Sequence, residues 1–185
     1  ETEWLAEWVP LDMQVVAYAR QDSKQQSVRQ PALCDFQMVG SGYDHQDKWQ
    51  TLLIPKTEDG KKAVGGGTKM NYRFYLQDMA FAVAIQTPTA FVPEAISALQ
   101  NPVWDLYLGR KNCVPTEFIY QGLFDTATEA IAAGQTIAQG KKRSPVLLVL
   151  QGEHEGERLI LNDVPLQFGR CKKYQDRRVS IQRME

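Results

Sequence analysis

Lys69-Met70-Asn71-Tyr72-Arg73-Phe74-Tyr75-Leu76, followed after Gln77-Asp78 by Met79-Ala80-Phe81-Ala82-Val83-Ala84-Ile85, sets the reading of this chain. The first half interleaves aromatic residues with polar ones and reads as a strand. The second half is an uninterrupted apolar run of strand length, expected to lie centrally in a sheet. Upstream, Ala32, Cys34, Phe36 and Met38 share one face of a second strand, with Asp35 and Gln37 on the other. Between the two strands, residues 40–68 are rich in Gly, Asp, Lys and Thr, with one apolar island at Trp49–Ile54. A connection this long inside a compact domain is usually functional. Residues from about 30 to 72 therefore read as a protruding hairpin.

Working outward, Met13–Arg20 is a strand candidate and Gln21–Ser27 a polar turn. Residues 3–9 have the spacing of an amphipathic helix that stops near Pro10. Pro93 suits a helix start, because its missing N–H would be unpaired there anyway. That helix runs to Gln100. A capping box, Thr126-Ala127-Thr128-Glu129, opens a second helix, for which Gly134 is the expected stop. Pro145–Gln151 and Arg158–Asn162 read as a hairpin around the acidic tip Gly152–Glu157, and Arg177–Arg183 as a last strand. The class is α+β. One further strand ahead of residue 1 would complete β-α-β-β-α-β, the ferredoxin-like pattern of RRM domains. The division expected is 1–135 for that part and 136–185 for a β-rich C-terminal part.

Bulk properties narrow the function classes. The chain has 185 residues, 43% apolar and 23% charged, which is ordinary for a globular protein. No apolar run approaches a membrane span, and no signal peptide is visible. The chain opens on Glu1 with Trp4, Leu5, Trp8 and Val9 already at helical spacing, so an upstream segment is expected. Cys34, Cys113 and Cys171 are far apart and form no CxxC pair. Neither a disulfide framework nor a zinc site is expected, as suits a reducing cytoplasm. Net charge is −1, which alone argues mildly against nucleic-acid binding. The distribution is uneven: Glu1, Glu3, Glu7 and Asp12 precede the first basic residue, while Arg170, Lys172, Lys173, Arg177, Arg178 and Arg183 crowd the tail. Two ordinary solvated surfaces are the plainer explanation of that asymmetry.

Taken singly, the motifs are weak. Gly60–Lys69 lacks the GxxxxGK[ST] spacing of a phosphate-binding loop. His154 stands among Glu153, Glu155 and Glu157, but on a short polar turn without HExxH; no metal or other cofactor is expected. A metal-independent ribonuclease needs a base and an acid around a 2′-OH, and no spacing here selects them. Tyr72-Arg73-Phe74-Tyr75 offers rings for base stacking and a cation for phosphate, although an amphipathic strand with Phe74 buried is simpler. Gly109-Arg110-Lys111 places two cations after a residue that permits close backbone approach.

Together these segments resemble one family. The run Tyr75 to Ala84, then Tyr107-Leu108-Gly109-Arg110-Lys111-Asn112-Cys113-Val114-Pro115, is similar to the CasD (Cas-five) subunits of type I-E CRISPR Cascade. The tail Asp163-Val164-Pro165-Leu166-Gln167-Phe168, with Tyr174 and Arg177-Arg178-Val179, resembles that family's C-terminal end. Asp35-Phe36-Gln37 falls where the family carries an acidic-aromatic-polar triplet on its long hairpin.

The resemblance implies a modified ferredoxin-like (RRM/RAMP-type) fold with a thumb-like hairpin, here without the family's N-terminal strand and Gly-rich first helix. It implies a non-catalytic subunit that caps the 5′ handle of CRISPR RNA. Its expected neighbours are the Cas-seven backbone subunit and the large Cas-eight (CasA-type) subunit, with target DNA met through the complex and no membrane. RNA contact carries over by position to Gln37, Lys69, Tyr72 and Arg73. For Arg110 and Lys111, handle contact and support of the fold stand side by side. Two other readings remain: a metal-independent endoribonuclease acting on precursor RNA, as in type I-C, and a protein-only assembly module.

Overall fold

A computed structural model describes residues 7–8, 12–39, 46, 58–61, 69–169 and 171–184. The chain divides into two compact units, Arg29–Asp78 and the remainder, Glu1–Val28 with Met79–Glu185. The expected helix at 3–9 falls outside the described residues except at Glu7 and Trp8, which are helical.

The larger unit is α+β. Its strands are β1 (Met13–Gln21), β2 (Ser27–Val28), β5 (Ala80–Ile85), β6 (Arg143–Gln151), β7 (Glu157–Gln167) and β8 (Lys173–Arg183). Besides the helical Glu7 and Trp8, its helices among the described residues are α1 (Val92–Gln100), which follows a short 3-10 turn at Thr89–Phe91, and α2 (Ala127–Gly140). The smaller unit holds β3 (Leu33–Val39) and β4 (Lys69–Tyr75). All pairings among the described residues are antiparallel. The main sheet runs β2-β1-β6-β8-β7, with β5 also on β1.

β1 is central, and its sequence shows why. Val16, Ala17, Tyr18 and Ala19 are all buried, so both faces of the strand are covered. Val16 and Tyr18 pack with Ala138 and Ile131 of α2, Ala80 and Ala82 of β5, and Leu148 of β6. Ala17 and Ala19 pack on the opposite face with Val146, Leu147 and Met79. The β1–β6 ladder jumps from Ala17↔Leu147 to Tyr18↔Pro145, leaving Val146 as a bulged residue. The bulge lets β6 continue through Pro145, whose missing N–H would otherwise break a central ladder. It also explains why β6 begins at Arg143 rather than at the expected Pro145.

Three expectations require correction. β5 lies at a sheet edge among the described residues, paired only with β1. Its apolar run is not a sign of two-sided burial: Ala80, Ala82 and Ala84 turn inward, while Phe81, Val83 and Ile85 are about half exposed. α2 does not stop at Gly134. Thr126 and Glu129 form the expected capping box, but the helix runs on to Gly140. Gly134 is a contact residue, since a Cβ there would sit 2.7 Å from the Ala82 Cβ. β6 and β7 do not form a hairpin. β8 lies between them and pairs with both, so residues 152–156 cross over β8.

That crossing sets local requirements. Ser180 on β8 is fully buried; its hydroxyl donates to the Gly152 carbonyl at 3.0 Å and accepts the His154 N–H at 2.8 Å. The Gly152 N–H donates to the Arg178 carbonyl at 2.8 Å. The backbone groups of the crossing are thus bonded to β8 rather than to water.

Candidate nucleic-acid interface

The β3–β4 ribbon is in strict register, with Asp35 opposite Arg73, Phe36 opposite Tyr72 and Gln37 opposite Asn71. Directly opposed residues share a face, and neighbours along a strand alternate. The ribbon therefore has two chemically distinct faces. One carries Cys34, Phe36 and Met38 with Phe74, Tyr72 and Met70. The other carries Leu33, Asp35, Gln37 and Val39 with Tyr75, Arg73, Asn71 and Lys69.

The aromatic face is open. Phe36 is 51% exposed, Tyr72 55% and Phe74 70%. The Phe36 and Tyr72 rings stand 5.5 Å apart at 54°, a tilted pair that fixes both side chains. Phe74 is not the buried anchor that an amphipathic strand would have made of it. On the polar face Asp35, Gln37, Asn71 and Tyr75 are half-buried, and the Gln37 side-chain amide donates to Asp35 at 2.8 Å. Gln77 donates to the Pro31 carbonyl at 2.8 Å and ties the base of the ribbon together.

Of the residues expected to touch RNA, Gln37 and Arg73 thus share one face and Tyr72 occupies the other. Lys69 is placed at the far end of β4, opposite Val39; its side chain, like those of Met38 and Val39, lies outside the described residues. Phe36, Met70 and Phe74, to which no RNA contact is carried over by position, share the Tyr72 face; the same alternation that groups Cys34, Phe36 and Met38 also groups 70, 72 and 74. His45 and most of Gly60–Lys69 also lie outside the described residues.

Arg110 and Lys111 belong to the larger unit. The Leu108 N–H donates to the Cys113 carbonyl at 2.8 Å, and the Cys113 N–H to Arg110 at 2.9 Å. Gly109, at φ 83°, supplies the left-handed residue that this closed turn needs. Lys111 is exposed on the turn, whereas Arg110 is half-buried.

The arginine-rich tail is less basic than its composition. Arg177 grips Asp163 with two bonds of 2.7 and 2.8 Å. Arg178 pairs with Glu153, and Arg158 lies 3.8 Å from the same carboxylate. Arg178, Arg158 and Glu153, but not Arg177 or Asp163, line a shallow depression of about 330 Å3. The bond from Arg177 holds the Asp163 carboxyl below its ordinary 3.8, against a smaller upward push from burial. A depressed carboxylate adds stability above its unfolded value and loses it as pH falls through the folded one. The expected result is a decline in the urea midpoint of the native protein below about pH 4, flattened in Arg177→Gln. Identical pH profiles would show that the pair contributes nothing.

Among the described residues no group of three or more His, Cys, Asp or Glu is placed to hold a metal ion, and no helix is long and apolar enough to cross a membrane. The family model for CRISPR-associated protein (Cas_Cas5) matches residues 2–180. The chain belongs to the Cas5 family. No curated protein matches it. Family membership makes this a CRISPR-associated protein and suggests a role in binding CRISPR RNA. In this Cas5 chain an open aromatic ribbon face lies back to back with a polar face bearing Arg73, the combination of stacking surface and cation that unpaired RNA requires.

Proposed function

We propose that this Cas5 chain is the non-catalytic subunit that binds and caps the 5′ handle of CRISPR RNA in a type I-E surveillance complex. The observation that carries this reading is the exposed Phe36–Tyr72 pair on the β3–β4 ribbon. Exposed rings are costly to leave in water and serve well as platforms for splayed bases. Tyr72 stacks on a base or sugar, while Arg73, Lys69 and Gln37 reach phosphates and sugar edges from the other face. Lys111 and Arg110 meet the handle backbone from the Leu108–Cys113 turn. The α+β architecture with its long hairpin supports a modified ferredoxin-like, RAMP-type fold.

Protein neighbours are part of the proposal. The irregular segment 101–126 exposes Val103, Trp104 at 81% and Phe118 at 90%. Large apolar side chains concentrated on one segment mark an association surface. The Cas-seven backbone subunit and the large subunit are the proposed occupants, and target DNA is engaged through the assembled complex. A cytoplasmic setting agrees with three free cysteines.

Tyr72→Ala is expected to weaken binding of a handle RNA about tenfold, the loss of one stacked base. The fold should persist, because Tyr72 is exposed. Arg73→Ala should weaken it too and lower the salt slope by about one. Unchanged handle affinity in both variants would show that the ribbon is not the RNA site. Separately, specific cleavage of precursor RNA in EDTA, abolished by a point substitution, would overturn the non-catalytic reading in favour of an endoribonuclease.

A further inference from the structure

On the polar face of the ribbon, Asp35 stands directly opposite Arg73. Opposed side chains in an antiparallel pair lie about 4.5–5.5 Å apart at Cβ, well within reach of an aspartate and an arginine. A carboxylate and a guanidinium so placed ordinarily close a charge-assisted pair, often a forked one. The ribbon does not use these two residues in that way. Arg73 has no ion pair or hydrogen bond among the described residues. Asp35 is engaged along its own strand instead: the Gln37 side-chain Nε2 donates to its Oδ2 at 2.8 Å.

The two opposed residues also differ in exposure. Asp35 and Gln37 are half-buried, whereas Arg73 is exposed. The carboxylate is partly withdrawn from water and bonded to an amide, while the cation is left at the surface. Withdrawing a carboxylate from water costs free energy, and a neutral amide offsets less of it than a guanidinium would. Stability by itself therefore favours Asp35 on Arg73. The arrangement meets a different need if Arg73 is to receive an anion. A phosphate must compete for a guanidinium with any carboxylate that already holds it, so the carboxylate has to be occupied elsewhere. Gln37 is spaced for that duty, because residues two apart along a strand share a face.

We infer that Gln37 is a positioning residue: by holding the Asp35 carboxylate along β3, it keeps the opposed Arg73 guanidinium open to a phosphate of the RNA. This role rests on the ribbon being the RNA site, and it gives Gln37 a duty beyond its own reach to a sugar edge. Without the Gln37 amide, Asp35 turns across the ladder and takes Arg73. The site then loses one phosphate contact, although neither Asp35 nor Arg73 has changed. The influence of Gln37 on binding therefore passes through the charge of Asp35.

The test titrates a CRISPR RNA 5′ handle oligonucleotide against the full chain and its variants over a salt series. Gln37→Met keeps the length of the side chain and removes the amide. It is expected to weaken binding severalfold and to lower the salt slope by about one, as Arg73→Ala does. Its melting temperature should hold or rise, since an ion pair forms. Asp35→Asn takes away the competing charge, so adding Gln37→Met to it should change affinity and slope little. Such non-additivity marks coupling between touching residues. A direct hydrogen bond from Gln37 to RNA would instead cost the same with aspartate or asparagine at position 35. An equal loss in both backgrounds, or no loss from Gln37→Met, would overturn the inference, while weakening by Arg73→Ala would still uphold the ribbon. If Arg73→Ala changes neither affinity nor slope, the ribbon reading fails and the role of Gln37 falls with it. Should Gln37→Met melt lower than the native chain, Gln37→Asn is read in its place. It keeps an amide but draws it back from Asp35 by one methylene, and the same outcomes decide.

Discussion

Gly156→Ala is expected to lower the stability of this protein by about 3 kcal/mol or more. Two penalties combine. Gly156 has φ 112°, a conformation that L side chains rarely adopt, worth about 1–2 kcal/mol for alanine. The added Cβ would also lie 2.3 Å from the Ile181 carbonyl oxygen. That neighbour is the backbone of β8, paired on both sides with β6 and β7, so it cannot swing aside like a side-chain tip. Overpacking of this kind costs about 1–3 kcal/mol. A typical domain has only about 5–15 kcal/mol in total, so the variant should unfold at a markedly lower urea concentration, or fail to accumulate. Gly152→Ala is the control. Gly152 also has a positive φ, 93°, but its added Cβ meets only the His154 ring at 3.8 Å, so it should carry the conformational penalty alone. Equal urea midpoints for the two variants would show that the crossing over β8 is not tight.

The second large effect belongs to Gly134. A Cβ here falls 2.7 Å from the Ala82 Cβ, with the Tyr18 hydroxyl 3.9 Å away. Valine adds two further methyl groups to a seam where α2 rests on β5 and β1. The helix must lift, and Val16, Tyr18, Ala138 and Leu148 lose contact with one another. Gly134→Val should cost about 2–3 kcal/mol, more than glycine's poor helix propensity returns. Gly134→Ala combined with Ala82→Gly moves the methyl from strand to helix. It should recover most of what Gly134→Ala alone loses, a coupling of about 1 kcal/mol between touching residues. Strictly additive urea midpoints in that cycle would remove the case for a close helix–strand approach.

Gly134 also shows where the sequence was legible and where it was not. Glycine after a helical run is a fair stop signal, yet the same residue serves wherever two backbones approach closely. Only the partner, Ala82, separates the two meanings, and it lies far away in the chain. The Thr126–Glu129 cap, by contrast, is a local device and was read correctly. The β6–β7 error is of the first kind. Two strands joined by a short polar turn look like a hairpin, and nothing local reveals that β8 enters between them. At the ribbon the alternation of Cys34, Phe36 and Met38 against Asp35 and Gln37 was plain. The same rule required Tyr72 and Arg73, being adjacent, to face opposite ways. It also marked Met70 and Phe74 as companions of Tyr72. The burial of Phe74 was misjudged because hydrophobicity says which side chains share a face, not whether that face is covered. The partners of the tail's charges were not legible for a similar reason: Asp163 and Glu153, which engage Arg177 and Arg178, stand well apart from them in sequence.

The strict alternation of the β3–β4 ribbon has a consequence for how genes of this family can vary. Because stacking and polar residues occupy opposite parities, one codon inserted ahead of Phe36 within Leu33–Val39 would exchange the two faces beyond it and present Phe36 where Gln37 had been. Two codons would restore the pattern. Codons gained or lost between Val39 and Lys69 leave both parities untouched. Length differences among related genes should therefore gather in that connecting segment, while the paired strands tolerate substitution but almost never a single-residue indel.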